Sequence, residues 1–169
     1  MWFDVIKALQ RIALSENDKI DRKWRSPSEQ VMDRKPDGLW YSFSLGKGWM
    51  RAQMDNYGWL EAYKYILYLD VSPLNILQIK SAKQASDFLD KYAVTIGKID
   101  WAGIASEYDG IEILNLSSWA YHNNEIRQQF YGWDIDSGCI WNTRNLKVTK
   151  VKPIEERHYK AEREIQGRD

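Results

Sequence analysis

The sequence predicts an α+β fold. The expected domain has a mostly antiparallel, twisted or split β-sheet, an N-terminal helix and one or two further packed helices. Three observations lead there. The chain has 169 residues, the length of one ordinary domain. Its stretches run helix, strands, helix, short helix, strands, tail, without the regular alternation of a doubly wound parallel sheet. The strand-like stretches are closed by turn signals at Pro36-Asp37-Gly38, Gly46-Lys47-Gly48 and Pro73-Leu74-Asn75. We expect the domain over 1–150, with a helical segment at 1–14 and a core over 31–142. A charged tail or helix follows over 151–169.

Taken in order, Trp2, Val5, Ile6, Leu9 and Ile12/Ala13 recur at helical spacing, with Asp4, Lys7 and Gln10 between them. The polar run from Ser15 to about Pro27 reads as an exposed connector. Residues 31–36, VMDRKP, form a candidate short strand, and LWYSFSL at 39–45 a better one. YKYILYLDV (63–71) has strand alternation, and ILQIK (76–80) is a compact second strand. Ser81 is the candidate N-cap of a helix whose apolar side is Ala82, Ala85, Phe88, Leu89 and Tyr92. Asp100 caps a short helix that ends by Gly110, and IEILNL (111–116) reads as a buried strand. SSWAYHNNEIRQQFYGW (117–133) reads as a loop with one helical turn. GCIWN (138–142) is a strand following the turn DIDSG. From Glu155 the chain is charged on every face. Between Arg144 and Asp169 it carries eight basic and five acidic residues, read as a solvated terminal helix or a phosphate-contacting arm.

Composition narrows the function classes. Lys plus Arg and Asp plus Glu both number 24, so the formal charge is zero. That opposes a general nucleic-acid coat or a polybasic membrane binder while leaving room for a local basic patch. Cys139 is the one cysteine, which excludes an internal disulfide and a Cys-rich zinc site. The two histidines, His122 and His158, lie far apart, so no metal centre is expected. Mean hydropathy is −0.60, and no apolar run approaches the roughly 18 residues of a membrane span. Asp4 and Lys7 interrupt any signal core. The expected location is therefore a reducing cytoplasm. Tryptophan is over-represented, and some indoles are expected to line a cleft for a flat ligand.

Phosphate-loop, dinucleotide, zincin and nucleophile-elbow motifs are absent. Cys139, beside Ile140 and Trp141, reads as a buried small hydrophobe. Three segments mix aromatic and polar residues. In the first, Arg34 and Lys35 precede Trp40, Tyr41 and Ser42 across a turn. A guanidinium there suits a pyrophosphate, Ser42 a ribose or a carboxylate, and Trp40 or Tyr41 a planar ring. In the second, Tyr108-Asp109-Gly110-Ile111-Glu112, alternation sets Glu112 opposite Ile111 and Ile113. It then lies on a wet face or in a cleft, where a carboxylate suits glycosyl transfer. The third runs from Tyr131 through Trp133, Asp134, Asp136, Ser137, Gly138 and Trp141 to Asn142, and reads equally as site or as scaffold.

KPDGLWYS (35–42), YDGI (108–111) and WDIDSGCIW (133–141) carry a resemblance to a group of small phage and bacterial proteins with a K-P-x-G-L-W-[YF]-S start, a central Y-D-G-I and a late W-D-x-x-S-G-C-I-W. More loosely, the order of elements resembles ADP-ribosyltransferases. That resemblance implies an NAD cleft in a split sheet, with NAD as substrate and no metal. By it, Arg34 with Lys35 would hold the phosphates, while Tyr41 and Ser42 frame the nicotinamide. Trp40, Tyr108, Asp109, Trp133 and Asp134 would line the cofactor. Glu112 would bind the ribose hydroxyl and stabilise the oxocarbenium, with Ser42 and Ser137 as further catalytic candidates. Asp134 or Ser137 is the alternative to Glu112 in the polar role. The chain departs from the better-known pattern in having SFS at 42–44 for Ser-Thr-Ser, and Gly110 where a Glu or Gln would precede Glu112. The implied reaction cleaves the nicotinamide–ribose bond and moves ADP-ribose to an acceptor that is protein, nucleic acid or water. Two other classes fit the same residues. One is an aromatic-lined module for a nucleotide or single-stranded nucleic acid. The other is a phage-type inhibitor that anchors on a host protein, in the host cytoplasm, through Trp and Tyr.

Overall fold

The computed structural model describes residues 10–28, 34–43, 62–133 and 135–154. These form a mixed α/β domain whose main sheet is mostly antiparallel. The strands are β1 (Arg11–Ser15), β2 (Leu39–Ser42), β3 (Tyr65–Asp70), β4 (Ile76–Ile79), β5 (Ala93–Thr95), β6 (Lys98–Ile99), β7 (Gly110–Ile113), β8 (Ser137–Ile140) and β9 (Lys147–Pro153). The helices are α1 (Ala82–Tyr92), α2 (Trp101–Glu107), α3 (Leu116–Trp119) and α4 (Asn124–Gln129). Seven strands pair in the order β4-β7-β8-β2-β1-β3-β9, and β5-β6 make a separate small hairpin. Within the large sheet β4 and β7 run parallel. The other neighbours are antiparallel. Parallel neighbours need a long crossover, and α1, the hairpin and α2 supply it.

Side-chain alternation divides the sheet into two faces. Ile79, Ile111, Ile113 and Cys139 point to one of them. There they meet Phe88, Leu89 and Tyr92 of α1, Trp101 and Ile104 of α2, Leu116 and Trp119 of α3, Ile126 of α4 and Phe130 just after it. We call this the helix-bearing face. Ala13, Tyr41, Leu67, Leu69 and Ile140 point the other way and pack with Val71 and Leu146. The helices start on side-chain caps, as the sequence predicts at two of them. Ser81 Oγ accepts from Gln84 N at 3.3 Å and Asp100 Oδ1 from Gly103 N at 2.9 Å. Asp136 adds a cap not foreseen, its two oxygens each accepting at 2.9 Å from Asn115 N and Leu116 N. Such caps each stabilise a helix by about 1 kcal/mol.

Three expectations are corrected. The N-terminal helix expected over 1–14 gives way to a strand at Arg11–Ser15, paired with β2 and β3; residues 1–9 lie outside the described residues. Ile12, Ala13 and Leu14 are all buried, because β1 is an internal strand covered on both faces. A short apolar run of that kind has no period that separates strand from helix. Second, β1 and β9 extend the sheet beyond the expected core of 31–142, and β9 crosses the boundary placed at 150. Third, the loop expected over 117–133 holds α4 and most of α3. In the expected strand at 31–36, Arg34 and Lys35 lie in a turn. The Gly46-Lys47-Gly48 turn lies outside the described residues.

Most described indoles are structural. Trp101, Trp119, Trp133 and Trp141 are buried. The Trp119 and Trp141 N–H groups donate to Leu114 O at 2.8 Å and Tyr108 O at 2.7 Å. Trp40 is half-buried and Trp24 exposed. Among the described residues, no helix is long and apolar enough to cross a membrane.

Candidate functional site

The expected site residues fall into separate groups. The first surrounds Glu112. Gln78 of β4, Glu112 of β7, Gly138 of β8 and Tyr41 of β2 stand abreast across four neighbouring strands. The side chains of Gln78, Glu112 and Tyr41 point away from the helices. Glu112 Oε1 accepts from Arg11 Nε and from the Tyr41 hydroxyl at 2.7 Å. Oε2 accepts from Arg11 Nη2 at 3.2 Å and from Gln78 Nε2 at 2.7 Å. Tyr41 reaches its partner because position 138 is glycine: a Cβ there would overlap the phenol ring.

Glu112 is 0% exposed, and Arg11 is partly exposed at 18% of its side chain. Burial pushes the Glu112 carboxyl up, but the Arg11 and Tyr41 hydrogen bonds, the Arg11 charge and the Gln78 amide outweigh it and hold the group below the ordinary carboxylate value. Burial and the neighbouring Glu112 charge push the Tyr41 hydroxyl well up, so it stays a donor. Glu112 is thus an anion with a guanidinium against it and two donors on each oxygen. That arrangement ties four strands together and leaves the carboxylate little capacity to take a ribose hydroxyl. Of the two placements open from sequence, wet face or cleft, it occupies neither.

The second group lies on the helix-bearing face. Trp40 of β2 points there, its ring centroid 5.0 Å from that of Trp133. Lys35 Nζ lies over the Trp40 ring at 5.4 Å, and the Arg34 guanidinium over Tyr131 at 5.9 Å. Trp133 Nε1 donates to Arg34 O at 3.4 Å, fastening the turn before β2 to the turn after α4. Two glycines with positive φ complete the ledge. Gly97 (φ 84°) lies against the Arg34 guanidinium, and Gly132 (φ 94°) against the Lys35 stem. Tyr131 is 71% exposed.

Ser42 and Ser137 also point to this face and stand opposite each other across β2 and β8, one step along from the pair Trp40 and Cys139. Ser137 Oγ donates to Ile135 O at 3.1 Å. Ser42 Oγ is buried without a hydrogen-bond partner among the described residues. Gln129 Nε2 is in the same condition, while the carbonyl of that amide accepts from Gly97 N at 2.8 Å. Both orphaned atoms therefore belong to the helix-bearing side, and one adjoins the Gly97 turn on which Arg34 rests. Buried polar atoms without partners are uncommon and call for an explanation.

The remaining expected residues are elsewhere. Asp109 is a strut at the start of β7: Oδ2 accepts from Asn75 N at 2.9 Å and Oδ1 from Asn142 Nδ2 at 2.7 Å. Tyr108 ends α2 and offers its carbonyl to Trp141. Asp134 lies outside the described residues. Arg34 and Glu112, expected to share one cleft, lie on opposite faces of the sheet, because Trp40 and Tyr41 are consecutive and alternation sends them apart. Cys139 is buried as expected, and burial, with the Asp37 charge, pushes its thiol well up, away from nucleophilic use.

Sequence reasoning missed Arg11, Gln78, Gly97, Gln129 and Tyr131's part in the ledge. Gln78 had a signal, since ILQI and GIEI each place one polar residue between apolar neighbours in paired strands. Among the described residues, no group of three His, Cys, Asp or Glu is placed to hold a metal ion. Comparisons with protein-family models, curated proteins and solved structures find no match to this chain.

Proposed function

We propose that this protein binds a nucleotide-type ligand, a planar ring carrying phosphate, on the ledge formed by Arg34, Lys35, Trp40, Gly97, Tyr131 and Gly132. The observation that carries the reading is the coincidence on one face of two cations, the exposed Tyr131 ring and half-buried Trp40 ring beneath them, and two buried polar atoms without partners among the described residues. Arg34 offers a planar fork to phosphate and Lys35 a point charge. Gly97 and Gly132, lacking side chains, let Arg34 and Lys35 lie close against the backbone. Tyr131 provides a solvent-facing ring for stacking, worth roughly 1–3 kcal/mol per base. The Ser42 hydroxyl and Gln129 amide are donors suited to a ligand's acceptors once side chains on this face adjust.

The test is a titration of tryptophan fluorescence with ADP and with NAD, read on the wild type and on Arg34→Ala/Lys35→Ala. Quenching that weakens at least tenfold in the double variant supports the ledge. Equal quenching in both proteins, or none in either, refutes it.

A second reading, ADP-ribosyl transfer from NAD in a fold like that of ADP-ribosyltransferases, has one observation in its favour. Glu112 is a strand-borne carboxylate kept ionised beside a guanidinium, with Arg11 of β1 standing where Arg34 was expected. A ribose hydroxyl would have to displace Tyr41 or Gln78 from it. The acceptor in this reading is undefined, and water suffices for the assay. Nicotinamide released from NAD and abolished by Glu112→Gln would put the chemistry on that face; NAD left intact would exclude it.

A further inference from the structure

The described residues 144–153 carry Arg144, Lys147, Lys150 and Lys152 and no acidic residue, in a chain whose formal charge is zero. Lys147, Lys150 and Lys152 lie on β9, the outer strand of the large sheet. Simple alternation would send Lys147 and Lys150 to opposite faces. The register is interrupted, however: Asp70 pairs with Lys147, Leu69 with Val148 and Tyr68 with Lys150, so that Thr149 is an extra residue. This bulge returns Lys150 to the face of Lys147, and Lys152, opposite Ile66, follows it there. Three lysines thus share one face of an edge strand. Lys150 Nζ and Lys152 Nζ flank the ring of Tyr68 at 5.8 and 5.9 Å from its centroid. Asp70 faces the first of the row and is engaged by the Ser72 N–H at 2.9 Å.

The Arg22–Arg25 segment meets the chain just before the strand. The Arg22 guanidinium donates to Leu146 O at 2.6 Å, one residue before Lys147. Trp24 pairs with Asn142 and stands 45% exposed between Arg25 and Lys23, the latter ion-paired with Asp21. Two lysines one pleat apart are separated by about 6.7 Å along the strand.

We infer that the lysine face of β9, with the neighbouring Arg22–Arg25 segment, is a contact surface for single-stranded nucleic acid. The phosphates would follow the cations, and unpaired bases would meet Trp24 and Tyr68. The argument uses no residue of the Arg34 ledge and does not depend on it. Interleaved aromatic rings distinguish this occupant from an acidic polypeptide, which needs the charge alone. Lysine and Pro153 on an edge strand also discourage strand-to-strand aggregation, but that role needs no common face and no adjoining Trp24.

The experiment measures fluorescence anisotropy of a labelled oligothymidylate against salt, for the wild type and for Lys147→Gln/Lys150→Gln/Lys152→Gln. The glutamines keep most of the side-chain stems, and circular dichroism checks the fold. Binding by the wild type at low salt, weakened at least tenfold in the variant, supports the inference. The slope of log affinity against log salt should become shallower by about 2, at roughly 0.7 per lost phosphate contact. Trp24→Ala should lower affinity without changing that slope. An unchanged slope, no binding by the wild type, or displacement of the oligonucleotide by polyglutamate as readily as by unlabelled strand would each overturn it. ADP quenching at the Arg34 ledge should be the same in the triple variant, so failure of one site is distinguishable from failure of the other.

Discussion

The two faces of the sheet handle polar groups in opposite ways. Away from the helices, three side chains from three other strands converge on Glu112, and every oxygen of that carboxylate has two donors. On the helix-bearing face, Arg34 and Lys35 rest on aromatic rings and glycines, and Ser42 Oγ and Gln129 Nε2 lack partners among the described residues. A satisfied buried network holds structure together; breaking it costs several kcal/mol, whereas replacing it whole with apolar groups is often neutral. Donors without partners among the described residues hold capacity in reserve. Convergence of charged residues is therefore a poor guide to function unless one also asks how much hydrogen-bonding capacity is left over.

The contrast predicts a separation of effects. Arg11→Ala leaves Glu112 buried and unpaired, and should lower unfolding free energy by roughly 3–5 kcal/mol in chemical denaturation. A loss under about 1 kcal/mol would mean the pair holds nothing together. Next in size, Gly138→Ala forces the Tyr41 ring off Glu112 and should cost about 1–3 kcal/mol by the same measurement. Tyr41→Phe added to it should then cost little more, because the hydrogen bond is already gone. On the ledge the signs reverse. Tyr131→Ala should change stability by less than about 0.5 kcal/mol while weakening ADP binding between about fivefold and a hundredfold, the equivalent of one stacked ring.

The smallest effect is in pH. Glu112 has a folded-state value below the ordinary 4.5, so its contribution is complete above that value and is lost as pH falls through the lower, folded one. The stability difference between wild type and Glu112→Gln should therefore narrow as pH drops below about 4.5. A difference that widens there would contradict an ionised, paired Glu112.

Much of this architecture was legible in the residues. Ser81 and Asp100 mark their helices because a short polar side chain before an apolar period has one physical use, capping. Ile111, Glu112 and Ile113 alternate as read, and the sheet is mostly antiparallel as expected. β1 was misread because an internal strand and a helix segment share the same apolar run. The site was legible only in part. The turn at 34–40 and the segment around Trp133 were both singled out, and they do meet. Glu112 was singled out too, but its position opposite them follows from Trp40 and Tyr41 being neighbours, a consequence visible only once the pairing of β2 with β8 is known. Arg11 gave no signal at all, since its partner is 101 residues away.

One comparison tests the division of labour most directly: ADP titrations of Arg11→Met/Tyr41→Phe/Glu112→Leu and of Arg34→Ala/Lys35→Ala beside the wild type. The first variant removes the carboxylate network whole, and should remain folded and quench as the wild type does. The second should fold normally and lose the response. If the apolar replacement folds yet no longer responds to ADP, while the ledge variant responds fully, the ligand belongs to the face of Glu112 and the assignment of roles is wrong.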